Sequence, residues 1–138
     1  MSDLLLDTHV LIWLLQDDPK MTEQVFAAIQ SAADADRVVV SAITPWEIGL
    51  LVSKKKIDLG MEVQTWLDCA LSLQGLRFAP LLPKIAVDST RLPFEIHPDP
   101  ADRILVATAR HLGATLVTAD RMLLQYGERG FFSYLAAS

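Results

Sequence analysis

The stretch LLLDTHVLIWLLQ, residues 4–16, runs three apolar residues, an aspartate and a helical segment together with no spacer. Leu4, Leu5 and Leu6 form a short continuous apolar run, as in a strand covered on both faces, and that strand ends at Asp7. Thr8 then starts a helix through His9 to Gln16. Strand, acid and helix in immediate succession begin a parallel α/β unit, whose ligands gather at the carboxyl ends of the strands. Asp7 occupies that place, and it is equally able to act as a helix cap. The arrangement recurs in ATLVTADR, where a strand over Thr115–Thr118 runs up to Asp120 and a short helix over Met122–Tyr126 follows.

Between these two units the alternation continues. Asp17, Asp18 and Pro19 make a turn, and Thr22 caps a scaffold helix with Val25, Ile29 and Ala32 or Ala33 on one face. VVVS is a second buried strand, Val38–Ser41, and AITPWEIGLLVSKKK is the helix after it. Glu47 has two readings. Thr44 with Glu47 three residues on and Pro45 between them spells a capping box. If Ser41 is the cap instead, Glu47 lies in the second turn and can point over the strand ends. Lys54, Lys55 and Lys56 close this helix as a solvated, dipole-complementing end, with contact to RNA phosphates as the alternative. Met61–Gln74 is a helix with Val63, Trp66, Leu67, Ala70 and Leu71 on one face, stopped by Gly75. A short strand over Leu76–Leu81 and a helix from Pro83 to Leu92 carry no chemistry. A last edge strand falls at Gly130–Tyr134.

HPDPADRILVATARHLG, residues 97–113, contributes two more acids. Asp99 is an N-cap and Pro100 the first helical residue, because a cap carboxylate accepts orphan N–H groups and proline lacks one. Asp102 falls in the first turn. From Ile104 onward the residues are apolar on nearly every side, which predicts a buried helix ended by Gly113. The expected fold is therefore α/β, a three-layer domain with a mainly parallel sheet, in which Asp7 and Asp120 end strands while Glu47 and Asp102 lie in early helical turns. The chain length of 138 residues suits a single domain, 1–138.

If the four acids Asp7, Glu47, Asp102 and Asp120 meet, they repel one another and their pKa values rise unless a cation neutralises them. Oxygen ligands without cysteine suit Mg2+, or Mn2+, which retain waters and recruit substrate phosphates. Setting four of the 17 acidic residues aside leaves 13 against 12 basic ones, so the rest of the chain is almost neutral and the net charge of −5 is concentrated in the proposed site. The same net charge excludes a basic module that grips nucleic acid by charge alone. A divalent ion lowers the pKa of bound water and stabilises a leaving oxygen, so hydrolysis of nucleic-acid phosphodiesters is the expected chemistry. One cysteine, Cys69, excludes a disulfide framework and a cysteine-rich zinc site. With no basic N-terminal start and no apolar run long enough to span a bilayer, the expectation is a cytoplasmic protein.

Taken together, LLLDTHVLIWLL, SAITPWEIG, HPDPADRILVATAR and LVTAD, in this order and spacing, resemble a PIN-domain ribonuclease of the VapC toxin type. The resemblance implies Asp7, Glu47, Asp102 and Asp120 as an acidic quartet around magnesium or manganese, and endonucleolytic cleavage of RNA. Thr118 matches a hydroxyl position that helps order such a site. Asp99 either assists or only caps, and with Arg103 and Thr8 it ranks below the quartet. The resemblance also implies a cognate antitoxin that covers the active site, and a homodimer. Arg103 could meet RNA phosphate, an antitoxin acid or a surface partner. His9, His97 and His111 lack the mutual spacing of a zinc site and are expected to be structural or solvent-facing. Trp13, Trp46 and Trp66 sit in helical apolar patterns and are expected in the core, with base stacking as the alternative.

Other classes fit less well. A phosphatase of the haloacid dehalogenase type needs a second aspartate two residues after the first, and His9 stands there. Neither GxGxxG nor GxxxxGK[ST] occurs, which disfavours a nucleotide-binding domain. The remaining rival is a non-catalytic PIN-like scaffold that binds RNA or protein.

Overall fold

The apolar runs form five strands, β1 (Leu4–Leu6), β2 (Val38–Ser41), β3 (Leu76–Ala79), β4 (Thr115–Thr118) and β5 (Ser133–Ala136), in a computed structural model that describes residues 2–93 and 99–138. Seven helices occur among the described residues: α1 (Thr8–Gln16), α2 (Glu23–Asp34), α3 (Ile43–Ser53), α4 (Val63–Leu71), α5 (Pro83–Ser89), α6 (Pro100–Leu112) and α7 (Arg121–Glu128). The strands lie in the order β3-β2-β1-β4-β5, and every neighbouring pair is parallel. Successive side chains of a strand point to opposite faces, and the core divides accordingly. Leu5, Val39 and Leu116 pack with Leu105, Val106, Leu123 and Phe132. Leu6, Val38, Val40 and Val117 pack with Val10, Leu11, Ile29, Trp66 and Leu67. The result is the expected three-layer α/β/α arrangement, with β1 buried at its centre.

This order decides where a ligand can go. From β1 the chain builds outward to β2 and β3 on one side and to β4 and β5 on the other, so the carboxyl ends of β1 and β4 flank the topological switch point. The Asp7 N–H donates to the Val117 carbonyl at 3.0 Å and ties those two ends together. Parallel connection places the start of α6, which precedes β4, at this same edge of the sheet. The start of α3, which follows β2, is there as well.

Local signals account for most boundaries. Thr22 Oγ1 accepts from the Val25 N–H at 3.3 Å and caps α2. Asp99 caps α6 with Pro100 at its first position, and Gly113, at φ 63°, ends it. Gly75 precedes β3 at φ 87°, and a Cβ there would lie 2.1 Å from the Ala33 carbonyl oxygen, so only glycine fits.

Several expectations are corrected. Of the two starts open for α3, the capping box at Thr44 does not form and Ser41 is not the cap residue: the helix begins at Ile43 with Ala42 as N-cap, and the Ile43 N–H donates to Ser41 Oγ at 3.1 Å. The buried Thr44 hydroxyl has no hydrogen-bond partner among the described residues. Glu47 therefore lies in the second turn. From Ile104 onward helix α6 is buried on all sides over residues 105–109, as expected, and is exposed only in its last turn, at Arg110, His111 and Leu112. Strand β3 stops at Ala79 and α5 at Ser89, short of Leu81 and Leu92. Helix α7 is longer than expected, and β5 starts at Ser133 rather than Gly130, pairing in register with β4. Of the three tryptophans Trp66 is fully core, at 4% exposure, Trp13 is half-buried and packed against the core, and Trp46 is 55% exposed. His97 lies outside the described residues. Among the described residues, no helix is long and apolar enough to cross a membrane.

Candidate active site

A cavity of about 380 Å³ opens at the carboxyl edge of the sheet, lined by Asp7, His9, Trp13, Glu47, Leu51, Asp99, Asp102, Ala119 and Asp120. All four acids of the expected quartet reach it from separate elements. Asp7 leaves the end of β1, Glu47 comes from the second turn of α3, Asp102 from the first turn of α6, and Asp120 from the junction of β4 and α7.

Each carboxylate is held by groups that its local structure supplies. Asp7, 7% exposed, accepts the Thr8 N–H at 2.7 Å on one oxygen and the Thr118 hydroxyl at 2.6 Å on the other. Capping and site membership are thus both true of it. Thr118 Oγ1 also accepts the Asp120 N–H at 3.0 Å, so one buried hydroxyl joins two of the acids. The Thr8 hydroxyl donates to Glu47 Oε1, linking α1 to α3. Asp120 accepts from the N–H groups of Met122 and Leu123 at 2.9 and 3.1 Å, and Asp99 from those of Ala101 and Asp102 at 2.8 and 3.3 Å. These bonds use the unpaired donors of a helix's first turn to fix carboxylates in place.

Asp99 belongs inside the group. One carboxylate oxygen from each of Glu47, Asp99 and Asp102 lies within 4.8 Å of the others, the tightest gathering of ligand-type atoms among the described residues. The sequence reading ranks Asp99 below the quartet because a cap explains it fully; the cap in fact aims the carboxylate at the cavity. The same reading assigns neither His9 nor Trp13 to the site. They are four residues apart, so α1 presents both on one face, and that face lines the cavity. Arg103 is half-buried and, among the described residues, does not line the cavity.

The charge balance is unfavourable as it stands. Burial pushes the Asp7 carboxyl up, against the lowering effect of the Thr118 and Thr8 hydrogen bonds. Burial also raises Glu47, opposed by the Thr8 hydroxyl and reinforced by Asp7 and Asp99. Asp102 rises to about 8, first through burial and then through Asp7, Asp99, Asp120 and Glu47. A carboxyl that remains protonated near neutral pH marks a site short of positive charge. Its donors are oxygen atoms, so the residues present fit a hard divalent cation such as Mg2+ or Mn2+.

A central parallel sheet with acids converging at its switch point defines a class, and residues 4–129 match the PIN domain. The chain belongs to the PIN-domain family. It is 34% identical to Ribonuclease VapC22 of Mycobacterium tuberculosis over 123 residues, 89% of this chain and 91% of that protein. Solved structures share the fold at lower identity. One is VapBC2 from Rickettsia felis bound to a DNA fragment from their promoter, with TM-score 0.71, 19% identity, and 99% and 100% of the two chains covered. FitAcB from Neisseria gonorrhoeae has TM-score 0.65 and 23% identity, with 96% of each chain covered.

Proposed function

We propose that this chain is the toxin of a type II toxin–antitoxin pair, an Mg2+- or Mn2+-dependent endoribonuclease that hydrolyses RNA phosphodiester bonds. The observation that carries this reading is the convergence of Asp7, Glu47, Asp99, Asp102 and Asp120 on one cavity, in a chain similar to a named ribonuclease over most of its length. Glu47, Asp99 and Asp102 would hold the cation, with Asp7 and Asp120 completing the acidic wall. When bound, such an ion supplies Lewis acidity, lowers the pKa of water and offsets the charge of the phosphodiester.

The chain's own residues supply order. Thr118 and the Thr8 N–H hold both oxygens of Asp7, and the Thr8 hydroxyl holds Glu47, so neither acid has to be reoriented as the substrate arrives. Asp99 and Asp120 are pinned by helix N-terminal N–H groups. Asp102, raised to about 8 by burial and the surrounding acids, is the group whose ionised form a bound cation would favour. No histidine base is invoked.

The proposed partners are an RNA substrate, a cognate antitoxin that covers the cavity and a second copy of the chain, and the proposed setting is the cytoplasm, with 1–138 acting as one domain. Exposed Phe78, Leu81, Leu82 and Val87, running from β3 into α5, support self-association.

The test is cleavage of a structured RNA pool by the purified, partner-free chain with Mg2+ or Mn2+, then with chelator, beside an Asp102→Asn variant. Metal-dependent cutting by the parent chain and none by the variant is expected. Folded protein that neither cuts RNA nor binds Mg2+ in a calorimetric titration would leave the non-catalytic scaffold in its place.

A further inference from the structure

The cavity has two unlike walls. Carboxylates form one, while His9, Trp13, Leu51 and Ala119 contribute the rest of the lining. His9 and Trp13 stand one turn apart on α1, as Glu47 and Leu51 do on α3, and the two helices are joined by the bond from Thr8 to Glu47. Each helix therefore presents a polar residue in its early turns and an apolar one a turn later to the same cavity, a rise of about 5–6 Å. A tryptophan serving only as core would be covered, as Trp66 is at 4% exposure. Trp13 packs against the core on one side but is only half-buried and opens on the cavity, and the Lys20 ammonium lies over its ring at 5.9 Å from the centroid. Lys20 itself is exposed.

We infer that Trp13, which shares the cavity lining with Leu51, is a stacking platform for one base of single-stranded RNA next to the phosphodiester to be cut, with Lys20 meeting the backbone phosphate beyond it. This rests on the nuclease reading and names the substrate contact it lacks. A chain of net charge −5 whose site is a cluster of acids has no general attraction for a polyanion, so grip has to come from local contacts. Stacking supplies it without sequence preference, because every base has a π face. An apolar protein segment could cover Trp13 and Leu51, but a cation over the ring and a direct opening onto the carboxylate cluster match a ligand that is aromatic and anionic together. A nucleotide is that ligand.

The assay is fluorescence anisotropy of short single-stranded RNA in Mg2+, with the binding protein carrying Asp102→Asn so that nothing is cut. In one oligonucleotide after another a single base is removed and the backbone kept. Trp13→Leu is expected to weaken binding of intact RNA roughly 5- to 150-fold, the loss of one base stack. One abasic position weakens binding to the protein that retains Trp13 by a similar factor and to the Trp13→Leu variant hardly at all, while Trp13→Phe keeps most of the affinity. Lys20→Ala lowers the dependence of log affinity on log salt by about 0.7. If no abasic position weakens binding to the protein that retains Trp13, or if Trp13→Leu binds as well as its parent, the inference fails and the wall belongs to a protein partner. An equal loss on intact and abasic RNA makes Trp13 a structural residue and overturns it as well. Failure of the nuclease reading is distinguishable, since the unsubstituted chain would then cut no RNA.

Discussion

Asp102→Asn in metal-free protein is expected to stabilise the fold at pH 8 and to do so about three times less at pH 5. The Asp102 carboxyl moves from 3.8 to about 8 on folding, through burial first and the surrounding Asp7, Asp99, Asp120 and Glu47 next. A folded-state pKa above the unfolded one means that the native state binds the extra proton between those two values, so stability falls as pH rises from about 4 to 8. One pKa unit corresponds to about 1.4 kcal/mol, which puts a ceiling of about 5 kcal/mol on the loss at pH 8. The cavity opens to water and its charges are partly screened, so about half of that is the working expectation. Asparagine keeps the shape without the charge and removes this slope. Urea unfolding in chelator at pH 5, 6.5 and 8 measures it, and Mg2+ is expected to restore the parent chain's stability at pH 8 while doing less for the variant. A variant that is less stable than its parent at pH 8, or a parent whose stability does not fall between pH 5 and 8, would refute the electrostatic account of the site.

Three further outcomes are expected. Thr118→Val removes the one side-chain donor that Asp7 has among the described residues and is expected to cost about 1–3 kcal/mol in thermal or urea unfolding. Because that bond lowers the Asp7 pKa, its loss raises the group further and shifts the acid limb of the RNA-cleavage profile to higher pH, and Thr118→Ser restores both. Asp99→Asn keeps a good helix cap but withdraws a charge from the Glu47–Asp102 group, so Mg2+ affinity by calorimetry falls while the melting temperature holds; Asp99→Ala also loses about 1 kcal/mol of cap. Gly75→Ala drives a Cβ into the Ala33 carbonyl at positive φ and is expected to destabilise by about 2 kcal/mol or more, with no direct effect on metal binding.

The class of fold and most of the acids were legible in local sequence. Three leucines before Asp7 and the Thr115–Thr118 run before Asp120 are short-range patterns, and burying such runs on both faces requires a parallel sheet between helical layers. Ends set by local chemistry were legible for the same reason: Thr22 and Asp99 as caps and Gly113 as a stop, whereas α4 ends at Leu71, well before the expected stop at Gly75. Other features depended on contacts between distant segments. Helix α3 starts at Ile43 with Ala42 as its N-cap residue and the Ser41 hydroxyl accepting the Ile43 N–H, so the local capping-box signal of Thr44 and Glu47 is overridden and Glu47 is left free to accept the Thr8 hydroxyl. The same holds for Asp99, where a complete local explanation concealed a place beside Glu47 and Asp102 in the acidic cluster. The fate of the tryptophans was likewise a tertiary matter. Apolar periodicity marks the side of a helix that is covered, but Trp13 lies where α1 runs past the mouth of the cavity, and only the juxtaposition of α1, α3 and α6 at the sheet edge creates that mouth.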